Sequence, residues 1–267
     1  MNNNPIGIFD SGIGGLTVAH AIKERLPQED IIYFGDTAHL PYGDKSEAAI
    51  QAYSIKIADV LLQHNCKLIV IACNSASSAS YELLKEYVRK DVAVINVIDP
   101  MVRLVSRNFH SKRIGLIGTK RTVNSGIYAR KLKESGSEVE LLSLATPLLV
   151  PMIEEGFFDN NISNDIIHKY LSDNLLKNIS GLVLGCTHYP LIKKELNSYY
   201  QNSVTILDSS EVVAEAVHGH LLSKHLMKTT EPTTYKFLVS DYTDSFEAST
   251  LQFFGEKVYL EKHRLWE

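Results

Sequence analysis

The chain has 267 residues, 45% hydrophobic and 22% charged, enough to bury a core in one or two domains. A net charge of −4 and a pI near 6.2 exclude a broad basic surface, and short pairs such as Lys112-Arg113 and Lys120-Arg121 give no nucleic-acid footprint. No apolar run is long enough to cross a bilayer, and Met1-Asn2-Asn3-Asn4-Pro5 lacks the regions of a secretion signal, so a cytoplasmic protein with no membrane partner is expected.

Short β-branched runs alternate with longer segments of helical period, the pattern of an α/β fold with largely parallel sheets. In chain order the predicted strands are residues 6–9, 31–34, 68–71, 93–97, 114–117, 139–142, 181–184 and 204–207. Residues 47–65 place Ile50, Tyr53, Ile57 and Leu61 on one helical face. Residues 164–178 do the same with Ile167, Tyr170, Leu171 and Leu175. From about Ser209 the chain reads as a helix over 211–224, a linker around 229–234, and a strand-helix-strand tail able to join either half.

The spacing of the strands says more than the strands do. Ile6-Gly7-Ile8-Phe9-Asp10-Ser11 recurs 108 positions on as Ile114-Gly115-Leu116-Ile117-Gly118-Thr119, and Ile31 meets Val139 at the same offset. The run from Leu68 to Ser75 is echoed 113 positions on by the run from Gly181 to His188, and Val97-Ile98-Asp99 answers Ile206-Leu207-Asp208 at 109. A four-strand unit written twice is expected. Buried parallel strands resemble one another in composition, but that alone does not align Cys73 with Cys186.

Ligands bind at the carboxyl ends of strands in such folds, where Asp10, Ser11, Cys73, Asn74, Cys186, Thr187 and His188 fall. Two facing halves offer one thiol each to a crevice between them. Three cysteines are too few and too odd in number for a disulfide framework and are expected as free thiols. Cys66 lacks a counterpart and is expected to pack at the start of its strand. At a strand end before a helix, Cys73 and Cys186 should have lowered pKa values.

Inverting a stereocentre by moving its Cα proton needs a base on one face and an acid on the other, and a thiol can serve either role. A hydrolase using Cys186 and His188 leaves Cys73 unexplained. His188 could tune Cys186 or be structural, and Asp10 could merely organise a turn. Gly12-Ile13-Gly14-Gly15, with Asp36 where a ribose-binding acid belongs, suggests a dinucleotide site, but Thr17 stands where the third glycine would fall. The glycines suit a tight turn or backbone N–H groups approaching a small anion. A zinc site of Cys73, Cys186 and His188 is a further alternative; with no C-x-x-C pair in the sequence, no metal is expected.

The segments 7–17, 33–43, 72–77, 117–119 and 184–190 together closely resemble glutamate racemases of the aspartate/glutamate racemase superfamily. The likeness runs from Ile6 to about Asp208 in the right order. It implies two similar pseudo-symmetric domains, each a mostly parallel sheet flanked by helices, with the active site in the crevice between them. The implied division is residues 1–98 plus 209–267 against 99–208. It implies cofactor-independent interconversion of L- and D-glutamate, supplying D-glutamate for peptidoglycan. Cys73 and Cys186 would then be the acid and base, assisted by Asp10, His188 and Glu154. By the resemblance, substrate contacts fall to Asp10, Ser11, Tyr42, Gly43, Asn74, Ser75, Thr119, Thr122, Thr187 and His188. The family usually has threonine where this chain has Ser75, so the hydroxyl survives and a methyl is lost. No arginine lies in these motifs to clamp a dicarboxylate. Such enzymes are usually dimers, and a homodimer is expected.

Overall fold

The computed structural model describes residues 2–158, 160–230 and 232–266. The first half runs β1 (Ile6–Asp10), α1 (Leu16–Arg25), β2 (Ile31–Gly35), α2 (Glu47–Gln63), β3 (Leu68–Ile71), α3 (Asn74–Tyr87) and β4 (Ala93–Asn96). Helix α4 (Ile98–Asn108) leads into β5 (Arg113–Gly118), α5 (Lys120–Asn124), α6 (Ile127–Glu134), β6 (Glu140–Ala145), α7 (Leu149–Glu154), α8 (Asn161–Leu171), β7 (Gly181–Gly185), α9 (Lys193–Tyr199) and β8 (Thr205–Asp208). The tail carries α10 (Ser209–Ser223), β9 (Tyr235–Val239), α11 (Asp244–Phe254) and β10 (Leu260–Lys262).

Among the described residues the strands form two parallel sheets, ordered β10-β9-β2-β1-β3-β4 and β6-β5-β7-β8. Within each, the second strand of the unit lies to one side of the first and the third and fourth lie to the other, so the fold is two α/β domains built on one plan. β1, β2, β3 and β7 are buried along their whole length, because helices cover both faces of a parallel sheet. The tail joins the first sheet: β9 pairs with β2 and β10 with β9.

The repeat is present, though parts of its expected register shift. β4 ends at Asn96, and Val97-Ile98-Asp99 opens α4 rather than matching the end of β8. The equivalent strand ends are Asn96, paired with Ile71, and Asp208, paired with Leu184. Asn96 accepts from the N–H groups of Ile98 and Asp99, as Asp208 accepts from Ser210. The apolar run misled because it crosses from strand into helix without a polar break. β6 likewise extends to Ala145, so Gly118 pairs with Ala145 as Asp10 pairs with Gly35. α8 stops at Leu171, where Ser172 caps it, and Leu175 is exposed beyond it. α2, by contrast, buries Ile50, Ile57 and Leu61 as the periodicity requires. Part of the 229–234 linker, Glu231, lies outside the described residues.

A buried charge cluster ties the tail to the base of the first sheet. Lys67 Nζ donates to Glu29 Oε2 at 2.6 Å and to the carbonyls of Asn2 and Leu226 at 2.6 and 2.7 Å. Glu29 Oε1 accepts from the backbone of Lys228 at 2.7 Å, and the Lys228 ammonium meets Asp30 at 2.7 Å. Both side chains of the Glu29–Lys67 pair are out of solvent, so each depends on the other for charge balance. Lys67→Met, which strands the Glu29 carboxylate, is expected to cost about 3–5 kcal/mol; urea denaturation measures it, and a loss below about 1 kcal/mol would mean that the carboxylate escapes to water.

Candidate active site

The carboxyl ends of the two sheets face a common cavity of about 160 Å³. Ser11, Tyr42, Gly43, Cys73, Asn74 and Ser75 border it from the first half, and Thr119, Glu154, Cys186, Thr187 and His188 border it from the second. Asp10 and Thr122 do not border it but stand directly behind residues that do. Thr187 donates to Asp10 at 3.4 Å, and Thr122 lies 3.5 Å from the Ser75 hydroxyl.

Cys73 follows β3 and caps α3, its sulfur accepting from the Ala76 N–H at 3.4 Å. The thiol donates to the Ser11 hydroxyl at 3.6 Å. The expected lowering of its pKa does not occur. Burial pushes the Cys73 thiol up to about 12, and the nearby Asp10 carboxylate adds to the rise, outweighing the helix N–H and Ser11. Cys73 therefore rests protonated. Cys66 is fully buried at the start of β3 as expected, and burial pushes its thiol up to about 12 as well. All three cysteines are free.

On the opposite wall His188 Nδ1 lies 3.7 Å from the Cys186 sulfur, and Nε2 lies 2.9 Å from Glu154 Oε1. Burial disfavours a charged ring, but the hydrogen bonds to Cys186 and Glu154 and their negative charges raise its pKa to about 10. The imidazole is thus cationic at neutral pH. It is wedged in place. A Cβ at Gly14 would lie 2.4 Å from His188 Cε1, and the Phe253 ring stands edge-on at 5.2 Å. Gly14 is glycine because the histidine ring occupies the space of a side chain.

The glycine segment does approach an anion, and the anion is the chain's own Asp10. Its carboxylate accepts from the Gly12 N–H at 3.0 Å, and backbone bonds from Gly15 and Ser11 also reach it. Burial nonetheless raises the Asp10 pKa above the usual carboxylate range. Asp36 offers nothing to a ribose: it is fully buried, engaged by Tyr42 OH at 2.6 Å, His39 at 2.7 Å and Ser240 of the tail at 2.7 Å. It anchors the segment that brings Tyr42 and Gly43 to the cavity. Among the described residues no group of three or more His, Cys, Asp or Glu side chains is placed to hold a metal ion.

Two polar features lie along the cavity wall. Ser75, Thr119 and Thr122 form a hydroxyl cluster, Ser75 to Thr119 at 2.9 Å and Thr119 to Thr122 at 3.2 Å. Asn74, buried on the cavity wall, accepts from Tyr128 OH at 2.7 Å through Oδ1, while its Nδ2 has no partner. Buried donors are rarely left unsatisfied unless a ligand or water completes them. Tyr128, Phe253, Thr146 and Lys120 carry no signal in the sequence motifs. Thr146 was within reach of the strand-end argument, since it follows β6 directly, but β6 runs three residues beyond its apolar core.

Residues 16–217 match the model of the Asp/Glu/hydantoin racemase family. A glutamate racemase of Geobacter metallireducens is 41% identical over 254 residues, covering 95% of this chain and 93% of its own. The chain belongs to the Asp/Glu/hydantoin racemase family. Among solved structures of this family's glutamate racemases, that from Francisella tularensis in complex with D-glutamate superposes with a TM-score of 0.93 at 38% identity, covering 99% of both chains. The Thermus thermophilus glutamate racemase in complex with beta-chloro-D-alanine gives 0.88 at 37% identity, covering 99% of this chain and 98% of its own. The likeness to these solved structures thus extends over both sheets and the tail.

The raised His188 pKa has a consequence for stability. A group with a raised folded pKa stabilises fully below its ordinary value of 6.5 and loses that contribution as pH climbs through about 10. The difference in melting temperature between the protein and a His188→Gln variant is therefore expected to shrink steadily from pH 6.5 to 10. A difference independent of pH would mean a neutral ring.

Proposed function

We propose that the protein interconverts L- and D-glutamate without a cofactor, with Cys73 and Cys186 acting as acid and base on opposite faces of the Cα carbon. The observation that carries this reading is the pair of free thiols at equivalent strand ends of the two halves, both bordering one cavity. A binder has no use for such a pair, and a hydrolase needs one nucleophile. In the resting state Cys73 holds its proton, and the His188 imidazolium stands ready to balance a negative sulfur at Cys186. A thiolate at Cys186 removes the Cα proton while Cys73 delivers its own to the opposite face; the reverse reaction exchanges the roles. Asp10 and Glu154 act from behind, the first beside Ser11 and Thr187, the second on the far nitrogen of His188.

Charge that builds on the substrate carboxylate during proton removal needs donors already in place. The Asn74 amide, whose Nδ2 has no other partner, and the hydroxyls of Ser11 and Ser75 provide them. Tyr42 and Gly43 close the wall, and Thr122 and Tyr128 hold the donors in position. D-glutamate so formed serves peptidoglycan assembly in the cytoplasm. No described helix is long and apolar enough to cross a membrane. The working unit is a homodimer, each chain dividing into residues 1–98 plus 209–267 and residues 99–208. Support for that division is the placement of β9 beside β2 and of β10 beside β9 in the first sheet.

Circular dichroism of L- and D-glutamate solutions should decay to zero from either side with no added cofactor, with aspartate as the control. In deuterated water both enantiomers should acquire deuterium at Cα. Cys73→Ala and Cys186→Ala should each lower racemization by more than about 1,000-fold, a normal barrier contribution for a positioned acid or base; normal turnover in either variant would sink the mechanism. Gly14→Ala should lower kcat by about 10- to 100-fold, because displacing a reacting group by an ångström costs that much. Unchanged kcat in that variant would mean that the ring has another resting place.

A further inference from the structure

We propose that Lys120 draws the anionic substrate to the cavity and holds a carboxylate at its mouth, which makes it a specificity determinant; the inference rests on the glutamate reading above. Among the described residues bordering the cavity, Lys120 is the one lysine or arginine. Two carboxylates, Asp44 and Glu154, also border the cavity. Glu154 is turned to the cationic His188 at 2.9 Å. Asp44 faces Lys120 across the crevice at 4.0 Å, beyond hydrogen-bond distance, with both side chains more than half exposed. Glutamate, with two carboxylates and one ammonium, would be repelled by Asp44 unless a cation offsets it. An exposed ion pair this loose holds weakly. The lysine's flexible stem and rotatable donors let it leave Asp44 for an incoming carboxylate. Lys120 follows directly on Thr119, whose hydroxyl meets Ser75, so the ammonium and the hydroxyl cluster serve the same end of the cavity.

The rival role for this pair is a latch between the halves, Lys120 with Asp44 and, beside it, Arg121 with Glu47 at 2.5 Å. The two roles predict opposite signs. If Lys120 serves the substrate, Lys120→Met raises KM for glutamate about three- to tenfold with kcat within about twofold, the range for one partly exposed charge. The same variant flattens the fall of kcat/KM with ionic strength, since screening acts on the steering charge. Lys120→Arg restores both, and Asp44→Asn lowers KM. If the pair is a latch, Lys120→Met and Asp44→Asn shift KM upward together, which overturns the proposal. An unchanged KM and salt slope in Lys120→Met overturns it equally. Should the unaltered protein racemize no glutamate, the functional reading fails by itself. Calorimetric titration of L-glutamate into the unaltered and Lys120→Met proteins then decides the present inference: several-fold weaker binding in the variant upholds it, and equal or absent binding overturns it.

Discussion

The close approach of the turn after β1 to the loop after β7 governs how the two halves meet. Gly14 lies against the His188 ring with no room for a side chain. Thr17 donates to the carbonyl of Thr187 at 3.0 Å, and Thr187 in turn donates to Asp10 at 3.4 Å. These contacts are buried, so their polar groups cannot exchange partners with water, and an unmade bond there would cost the full desolvation of its groups. The separation of the two sheets, and with it the placement of Cys73 and Cys186 on a shared cavity, follows from this junction.

Around that junction the two thiols sit in unlike surroundings despite their equivalent places in the repeat. Cys73 caps a long helix, but its neighbours are Asp10 and Ser11, and burial keeps its proton on. Cys186 is followed by a short 3-10 turn, Tyr189–Ile192, and its neighbour is an imidazolium held by Glu154. A symmetric scaffold thus carries an asymmetric pair, one sulfur beside negative charge and the other beside positive.

The tail does more than complete a sheet. Ser240, at the end of β9, donates to Asp36 and accepts from the N–H of Ala38, and Asp36 holds Tyr42. Phe253, on α11, packs against His188 from outside. The Glu29–Lys67–Lys228 cluster fastens the start of this segment where no water can replace its bonds. The tail has no counterpart in the second half, yet one wall of the cavity and the orientation of its histidine depend on it.

The sequence by itself determined the α/β class, the doubled order of strands and part of the cavity wall, because strand ends in parallel sheets converge on one edge and six of the residues written just past them line the cavity. Cys73, Cys186, Ser11, Asn74 and Thr187 were legible for that reason, and so was the absence of a place for the third glycine of a dinucleotide site. Tertiary structure alone decided the rest. Periodicity ran past the true end of β4 because an apolar run looks the same in strand and helix. The sign of the Cys73 shift depended on how deeply the sulfur is buried and on Asp10 being beside it, neither of which local sequence encodes. Tyr128 turning Asn74 and Lys120 facing Asp44 join residues 54 and 76 positions apart. Pairings at that range are set by how helices pack onto sheets, and a linear reading has no measure of it.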